Sequence, residues 1–265
     1  REVLRSYYRP YARLAERLGT GLVLESATWR ANPDWGARLG YSPRALAEAN
    51  GSAIELLREV RDELRAGVGP VVISGCVGPR GDGYATGAEM SPAQARRYHA
   101  AQAHALADAG ADMLCAITMT YTNEAIGVVG AARETGVPVA ISFTVETDGR
   151  LTSGEGLEQA VRVVDDETGG YATYFMINCA HPSHFDHALE RGAEWAGRIG
   201  GLRANASRMS HAELDGAAEL DAGDPVDLAA RYAADCSRVS VRCGCWAREH
   251  RHVEQIAVAC GAGGR

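Results

Sequence analysis

Seven short apolar runs alternating with amphipathic stretches predict an α/β chain, a (β/α)8 barrel of the TIM type that lacks its first strand. Most of the runs are apolar on consecutive positions and rich in β-branched residues, as parallel strands buried on both faces must be. A polar or reactive residue stands at the end of nearly every run: Glu25, Cys76, Thr120, Glu146, Cys179, Asn205 and Cys243. One rim carrying that much chemistry is how the functional face of such a barrel reads. An open doubly wound sheet is the competing architecture. No GxGxxG follows the first run, which weakens it.

The chain opens in helical sequence over 2–18, with Pro10 expected to interrupt it. Strands are expected at 21–26 (GLVLES), 70–75 (PVVISG), 112–118 (DMLCAIT) and 138–144 (PVAISFT). Three more are expected at 174–179 (YFMINC), 199–205 (IGGLRAN) and 239–243 (VSVRC). Between them lie amphipathic stretches such as 44–66 and 93–109. The second of these opens on Ser91-Pro92, a helix cap followed by proline at the first helical position. Residues 1–265 read as one barrel domain, incomplete at its N-terminus, with a strand unit of roughly 30 residues expected upstream.

Apolar residues make up 46% and charged residues 23% of the chain, which suits a folded domain with a sizeable core. The net charge of -7 argues against a nucleic-acid or anionic-membrane partner, since either needs a basic face. The chain has no lysine, so all 27 basic residues are arginine. Schiff-base chemistry, pyridoxal phosphate anchoring and Walker-type phosphate loops are thereby excluded. Seven cysteines, an odd number spread over a long chain, do not form the pattern of a secreted disulfide framework. No apolar run approaches the roughly 18 residues of a membrane span, and no secretory signal opens the chain. The expectation is a cytoplasmic protein whose cysteines are free thiols or metal ligands. The oligomeric state, monomer or homo-oligomer, is left open.

The leading constellation is Cys179, Cys243 and Cys245. Cys179 ends one strand, and the other two end the last strand around Gly244, which permits a tight turn. These strands lie two apart around a barrel, so their tips can converge on one ion. Three thiolates with one open position suit a zinc ion that binds and activates a substrate. The alternative is that cysteines are small apolar packing residues, and this is the preferred reading for Cys76, Cys115, Cys236 and Cys260.

With these residues in view, the chain resembles the homocysteine S-methyltransferase family, zinc-dependent (β/α)8 barrels that move a methyl group onto the sulfur of homocysteine. The stretches that carry the resemblance are 22–41 (LVLESATWRANPDWGARLGY), 78–84 (GPRGDGY), 141–154 (ISFTVETDGRLTSG), 177–185 (INCAHPSHF), 201–224 (GLRANASRMSHAELDGAAELDAGD) and 249–256 (EHRHVEQI). They span nearly the whole chain. The resemblance implies a first strand with an Asp-Gly-Gly segment, absent here, and a second zinc motif Gly-Gly-Cys-Cys-Gly ahead of a histidine that resembles His252. Aligned without a gap, Cys245 falls on the first cysteine of that motif, Trp246 on the second and Ala247 on the last glycine, while Cys243 replaces the first glycine. An indole cannot stand in for a thiolate, so Cys243 is the conditional third ligand beside Cys179 and Cys245. The family also commonly places a glutamate at the end of the strand that here reads AITMTY (116–121), where no carboxylate stands. Glu146 or Glu25 is then expected to pair with the substrate ammonium.

The function this implies is zinc-dependent methyl transfer from a small sulfonium or ammonium donor to the thiol of homocysteine or a similar thiol. Trp29, Trp35, Tyr84 and Tyr121 offer aromatic faces to a cationic donor, or else serve as packing. Arg203 and Asn205 offer hydrogen bonds to a carboxylate, with structural bonding as the equal alternative. Two further readings stand beside it: a non-catalytic relative with a degenerate metal site, and a metal enzyme using His181, His184 and His187. The 78–87 loop reads either as an anion cradle or as a cover over the strand ends. Within it, Arg80-Gly81-Asp82 reads as a rim loop.

Overall fold

A computed structural model of the chain describes residues 1–64, 69–189, 193–219, 221–235, 239–244 and 250–262. The expected strands are all present: β1 (Leu22–Glu25), β2 (Val71–Val77), β3 (Met113–Met119), β4 (Val139–Thr144), β5 (Ala172–Asn178), β6 (Ile199–Ala204) and β7 (Val241–Gly244). Each pairs in parallel with the next, giving the sheet order β1-β2-β3-β4-β5-β6-β7. The row curls into a nearly closed barrel, a (β/α)8 type short of one strand among the described residues.

The helices are α1 (Glu2–Leu18), α2 (Pro33–Arg38), α3 (Pro43–Asp62), α4 (Pro92–Asp108), α5 (Thr122–Thr135) and α6 (Leu157–Thr168). They continue with α7 (Pro182–Phe185), α8 (His211–Gly216), α9 (Pro225–Asp235) and α10 (His250–Ala259), with a 3-10 turn at Glu194–Arg198. Proline, serine and asparagine set several of the starts. Ser42 and Ser91 accept the backbone N–H groups of Ala45 and Gln94, each followed by proline at the first helical position. Gln94 answers Ser91 with the reciprocal bond of a capping box. Helix α1 corrects one expectation, because it runs through Pro10 without a break. Proline forfeits one backbone hydrogen bond, and the burial of Tyr8, Ala12, Leu14 and Ala15 on one face outweighs that loss.

Two layers of apolar residues lie on opposite faces of the strands. The larger lies between sheet and helices and includes Leu24, Ile73, Leu114, Ile141, Phe143, Phe175, Ile177 and Leu202. The smaller contains strand residues alone, Met113, Cys115, Ala140 and Met176, with Tyr174, Val241 and Cys243 against them. These alternate with the outer set and so face the barrel interior.

Helices α4 and α5 approach closely because Gly127 faces Ala95. A Cβ at Gly127 would stand 2.3 Å from the Ala95 Cβ and 2.7 Å from the Arg96 backbone nitrogen. Gly127→Ala is therefore expected to destabilise the protein by about 1–3 kcal/mol through overpacking, measurable as a lower urea midpoint at unchanged slope. A midpoint at or above that of the parent would contradict this packing.

Candidate functional site

The C-terminal ends of the strands form the rim, and the end of β5 is its centre. Asn178, the last residue of β5, is fully buried and ties three strands together. Its Oδ1 accepts from the Thr118 backbone N–H at 3.1 Å and the Ser142 hydroxyl at 2.6 Å, and its Nδ2 donates to Thr144 Oγ1 at 3.0 Å. Cys179 follows with φ of 58°, and Thr118 at the irregular end of β3 has φ of 59°. Left-handed backbone costs a non-glycine residue on the order of 1–3 kcal/mol and gathers at functional sites.

Cys179 is buried, and its backbone N–H donates to the Arg203 carbonyl at 3.0 Å. The Tyr84 hydroxyl lies 3.5 Å from its Sγ. His211 reaches it from α8, with Nε2 at 2.7 Å from the Cys179 carbonyl and Nδ1 at 3.0 Å from Glu146 Oε1. Both ring nitrogens therefore face oxygen atoms. The Tyr84 and His211 rings lie 4.8 Å apart. Cys179, Tyr84, His211 and Glu146 thus form one connected group at the mouth of the barrel. Asn205 joins it through its backbone N–H, which donates to the Ala180 carbonyl at 2.9 Å.

Trp29 closes another side of the mouth. Its indole N–H donates to Thr118 Oγ1 at 2.8 Å, which links it through Thr118 to Asn178. One face of its ring already carries a cation. The Arg30 guanidinium lies 4.4 Å from the Trp29 ring and 4.7 Å from the Trp35 ring, and Arg38 lies 5.1 Å from Trp35.

Glu25 lies apart from this group. It forms an ion pair with Arg203 that bridges β1 and β6. The neighbouring Cys76 and Cys115 thiols are pushed well up, first by burial and then by the Glu25 carboxylate. Cys243 packs with the inner cluster, its thiol 3.6 Å from the Leu202 carbonyl, and burial raises it to about 11. Parallel register places Thr144, Asn178, Arg203 and Cys243 side by side on successive strands, one residue below Cys179.

Cys76, Cys115 and Cys243 are free thiols. Cys179 and Cys260 are disulfide-bonded, so neither is a free thiol in this structure. Spacing along a chain does not show which sulfurs meet. Cys245, Trp246 and Cys236 lie outside the described residues. Among the described residues, no group of three histidine, cysteine or carboxylate side chains is placed to hold a metal ion. The histidines of the HxxHxxH run have local roles. His181 caps α7 by accepting the Ser183 N–H, and His184 faces the Arg208 carbonyl at 3.0 Å.

The donor set nevertheless suits a soft metal at one point. A disulfide at Cys179 means that a second cysteine sulfur lies within bonding distance of it. Reduction would give two adjacent thiols, whose ionised forms are ligands that zinc prefers.

The family described as homocysteine S-methyltransferase matches residues 1–260. The chain belongs to the homocysteine S-methyltransferase family. Within that family it is 30% identical over 209 residues to the homocysteine S-methyltransferase of Escherichia coli (strain K12). That match covers 72% of this chain, and the chain spans 61% of the length of that relative. The fold agrees with crystal structures of the homocysteine methyltransferase MmuM from Escherichia coli. The metallated form matches with a TM-score of 0.77 at 19% identity, covering 97% of this chain and 84% of that one. The oxidized form gives 0.76 at 20% identity with the same coverage.

Sequence reading missed His211 and the strand-tying role of Asn178. The signals were present but local: a capping box from Ser210 to Glu213 places His211 at a helix start, and Asn178 is the polar end of an apolar strand.

Proposed function

We propose that this protein transfers a methyl group from a small sulfonium or ammonium donor to the thiol of homocysteine, with zinc held at the mouth of the barrel. One observation carries the reading: in a chain of this family, Cys179 directly follows β5 and is bonded to a second cysteine sulfur. Cys179 and Cys245 are assigned as ligands. Cys243 is the third, which requires its thiol to leave the Leu202 carbonyl. A zinc ion held by these residues would supply the positive charge that favours the ionised form of an acceptor thiol, whose pKa is otherwise roughly 8.5.

The chain's own residues bind and orient. Glu146, already held by His211, is assigned to the substrate ammonium, since Glu25 is engaged by Arg203. Asn205 is assigned to the substrate carboxylate. Trp29 and Tyr84 wall the space in which the donor methyl meets the thiolate, in line with the departing sulfide or amine. Transfer forms a carbon–sulfur bond on the acceptor as the donor's bond to the methyl breaks and the donor leaves neutral. Orientation therefore supplies much of the rate, without a general base. The partners are two small molecules, and neither nucleic acid nor membrane is involved. Among the described residues, no helix is long and apolar enough to cross a membrane. The dithiol form the reaction needs persists in a reducing compartment, so we place the protein in the cytoplasm.

The test is to reduce the protein, supply zinc, and offer homocysteine with a methylsulfonium or a trimethylammonium donor. Methionine is expected from one donor, and its formation should stop when zinc is chelated. No methionine from either donor would favour the non-catalytic relative, in keeping with Trp246 at a motif cysteine.

A further inference from the structure

Behind the rim, a buried acid and histidine hold the loop that carries Tyr84. Glu124, in the first turn of α5, is fully buried. Its Oε1 accepts from the Arg80 backbone N–H at 2.7 Å and lies 2.9 Å from Nε2 of the equally buried His99 on α4. Ten residues beyond Arg80, the Met90 backbone N–H donates to the Tyr121 hydroxyl at 3.1 Å. Tyr121 caps α5, so both ends of the loop are pinned to the start of one helix. Between the pins the backbone lies against the site: a Cβ at Gly83 would stand 2.9 Å from Trp29 Cζ2 and 3.0 Å from Thr118 Oγ1, too close for an ordinary side chain. The loop is otherwise mostly exposed from Arg80 to Glu89, yet it delivers the Tyr84 hydroxyl to 3.5 Å from Cys179 Sγ.

A carboxylate that leaves water entirely is costly unless it is hydrogen-bonded. Glu124 turns its Oε1 to one loop amide and one histidine, neither of which touches the reacting atoms. Arg80 and Asp34 add an exposed ion pair at 2.9 Å, a weaker restraint than the buried bond. We propose that Glu124 is a positioning residue: supported by His99, it holds the 78–90 loop so that Tyr84 covers Cys179. The functional meaning of that cover rests on the proposed thiol chemistry, whereas the contact itself does not.

The Arg80–Gly81 peptide bond lies beside the pin, and trypsin cuts after arginine. Two rates are measured on the reduced protein by peptide mass mapping: trypsin cleavage at Arg80 and iodoacetamide alkylation of Cys179. In Glu124→Ala both are expected to rise at least about tenfold, the gain corresponding to the roughly 1.5–3 kcal/mol of a lost charged hydrogen bond. Glu124→Gln keeps an acceptor for the Arg80 N–H and is expected to stay within about twofold of the parent. If Glu124→Ala does not fold, Glu124→Asp, which draws the oxygen back by one methylene, is expected to raise both rates. A folded Ala or Asp variant with parental rates overturns the proposal, as does a Gln variant that behaves like Ala. Both rates can be read in a protein that transfers no methyl group, so failure of the proposed reaction and failure of this role are told apart. If the reaction is present, the Ala variant is expected to lose kcat and Gln to restore it.

Discussion

Cys179→Ser is expected to lower kcat/KM for methyl transfer by about a thousandfold or more. Serine has nearly the shape of cysteine, so the buried end of β5 and the Cys179 backbone bond to Arg203 should survive. What is lost is a soft ligand that ionises, replaced by a hydroxyl that does not ionise at neutral pH. An ion that activates a nucleophile supplies several kcal/mol, and about 4 kcal/mol corresponds to the thousandfold loss. Tyr84→Phe, which removes only the hydroxyl near Cys179 Sγ, is expected to cost about tenfold or less, as for one hydrogen bond. A Cys179→Ser protein with parental kcat/KM would remove this residue from the reaction.

Arg203→Met is expected to cost about 3–5 kcal/mol of stability, because it leaves Glu25 charged and unpaired inside the barrel. For a chain of this size that lowers Tm by roughly 10 °C. Glu25→Gln combined with Arg203→Met should recover most of the loss at neutral pH. An additive double variant, less stable than either single one, would show that the pair is not coupled.

The strands were legible because a parallel strand covered on both faces must be apolar at successive positions. The run at 138–144 accordingly appears as Val139–Thr144. Pro10 misled, because the cost of a proline inside a helix is local whereas the burial that outweighs it is tertiary. Cys179 was legible as the reactive end of a strand. The partners of the other site residues were not. Glu25 and Arg203 are far apart in the chain, and only closure of the barrel brings them together. Arg30 adjoins Trp29 in sequence, but its place between two indoles depends on how the loop after β1 turns. His211, at the start of α8, bridges Glu146 and the Cys179 carbonyl, three residues from separate segments that no spacing rule connects.

The most direct measurement is zinc per chain in the reduced protein and in Cys179→Ser, Cys245→Ser and Cys243→Ser. One equivalent in the parent, lost from the Cys179 and Cys245 variants and weakened or lost in the Cys243 variant, is the predicted result. A parent that takes up no zinc, or one that keeps it through all three substitutions, would contradict a sulfur-bound ion at the mouth of this barrel.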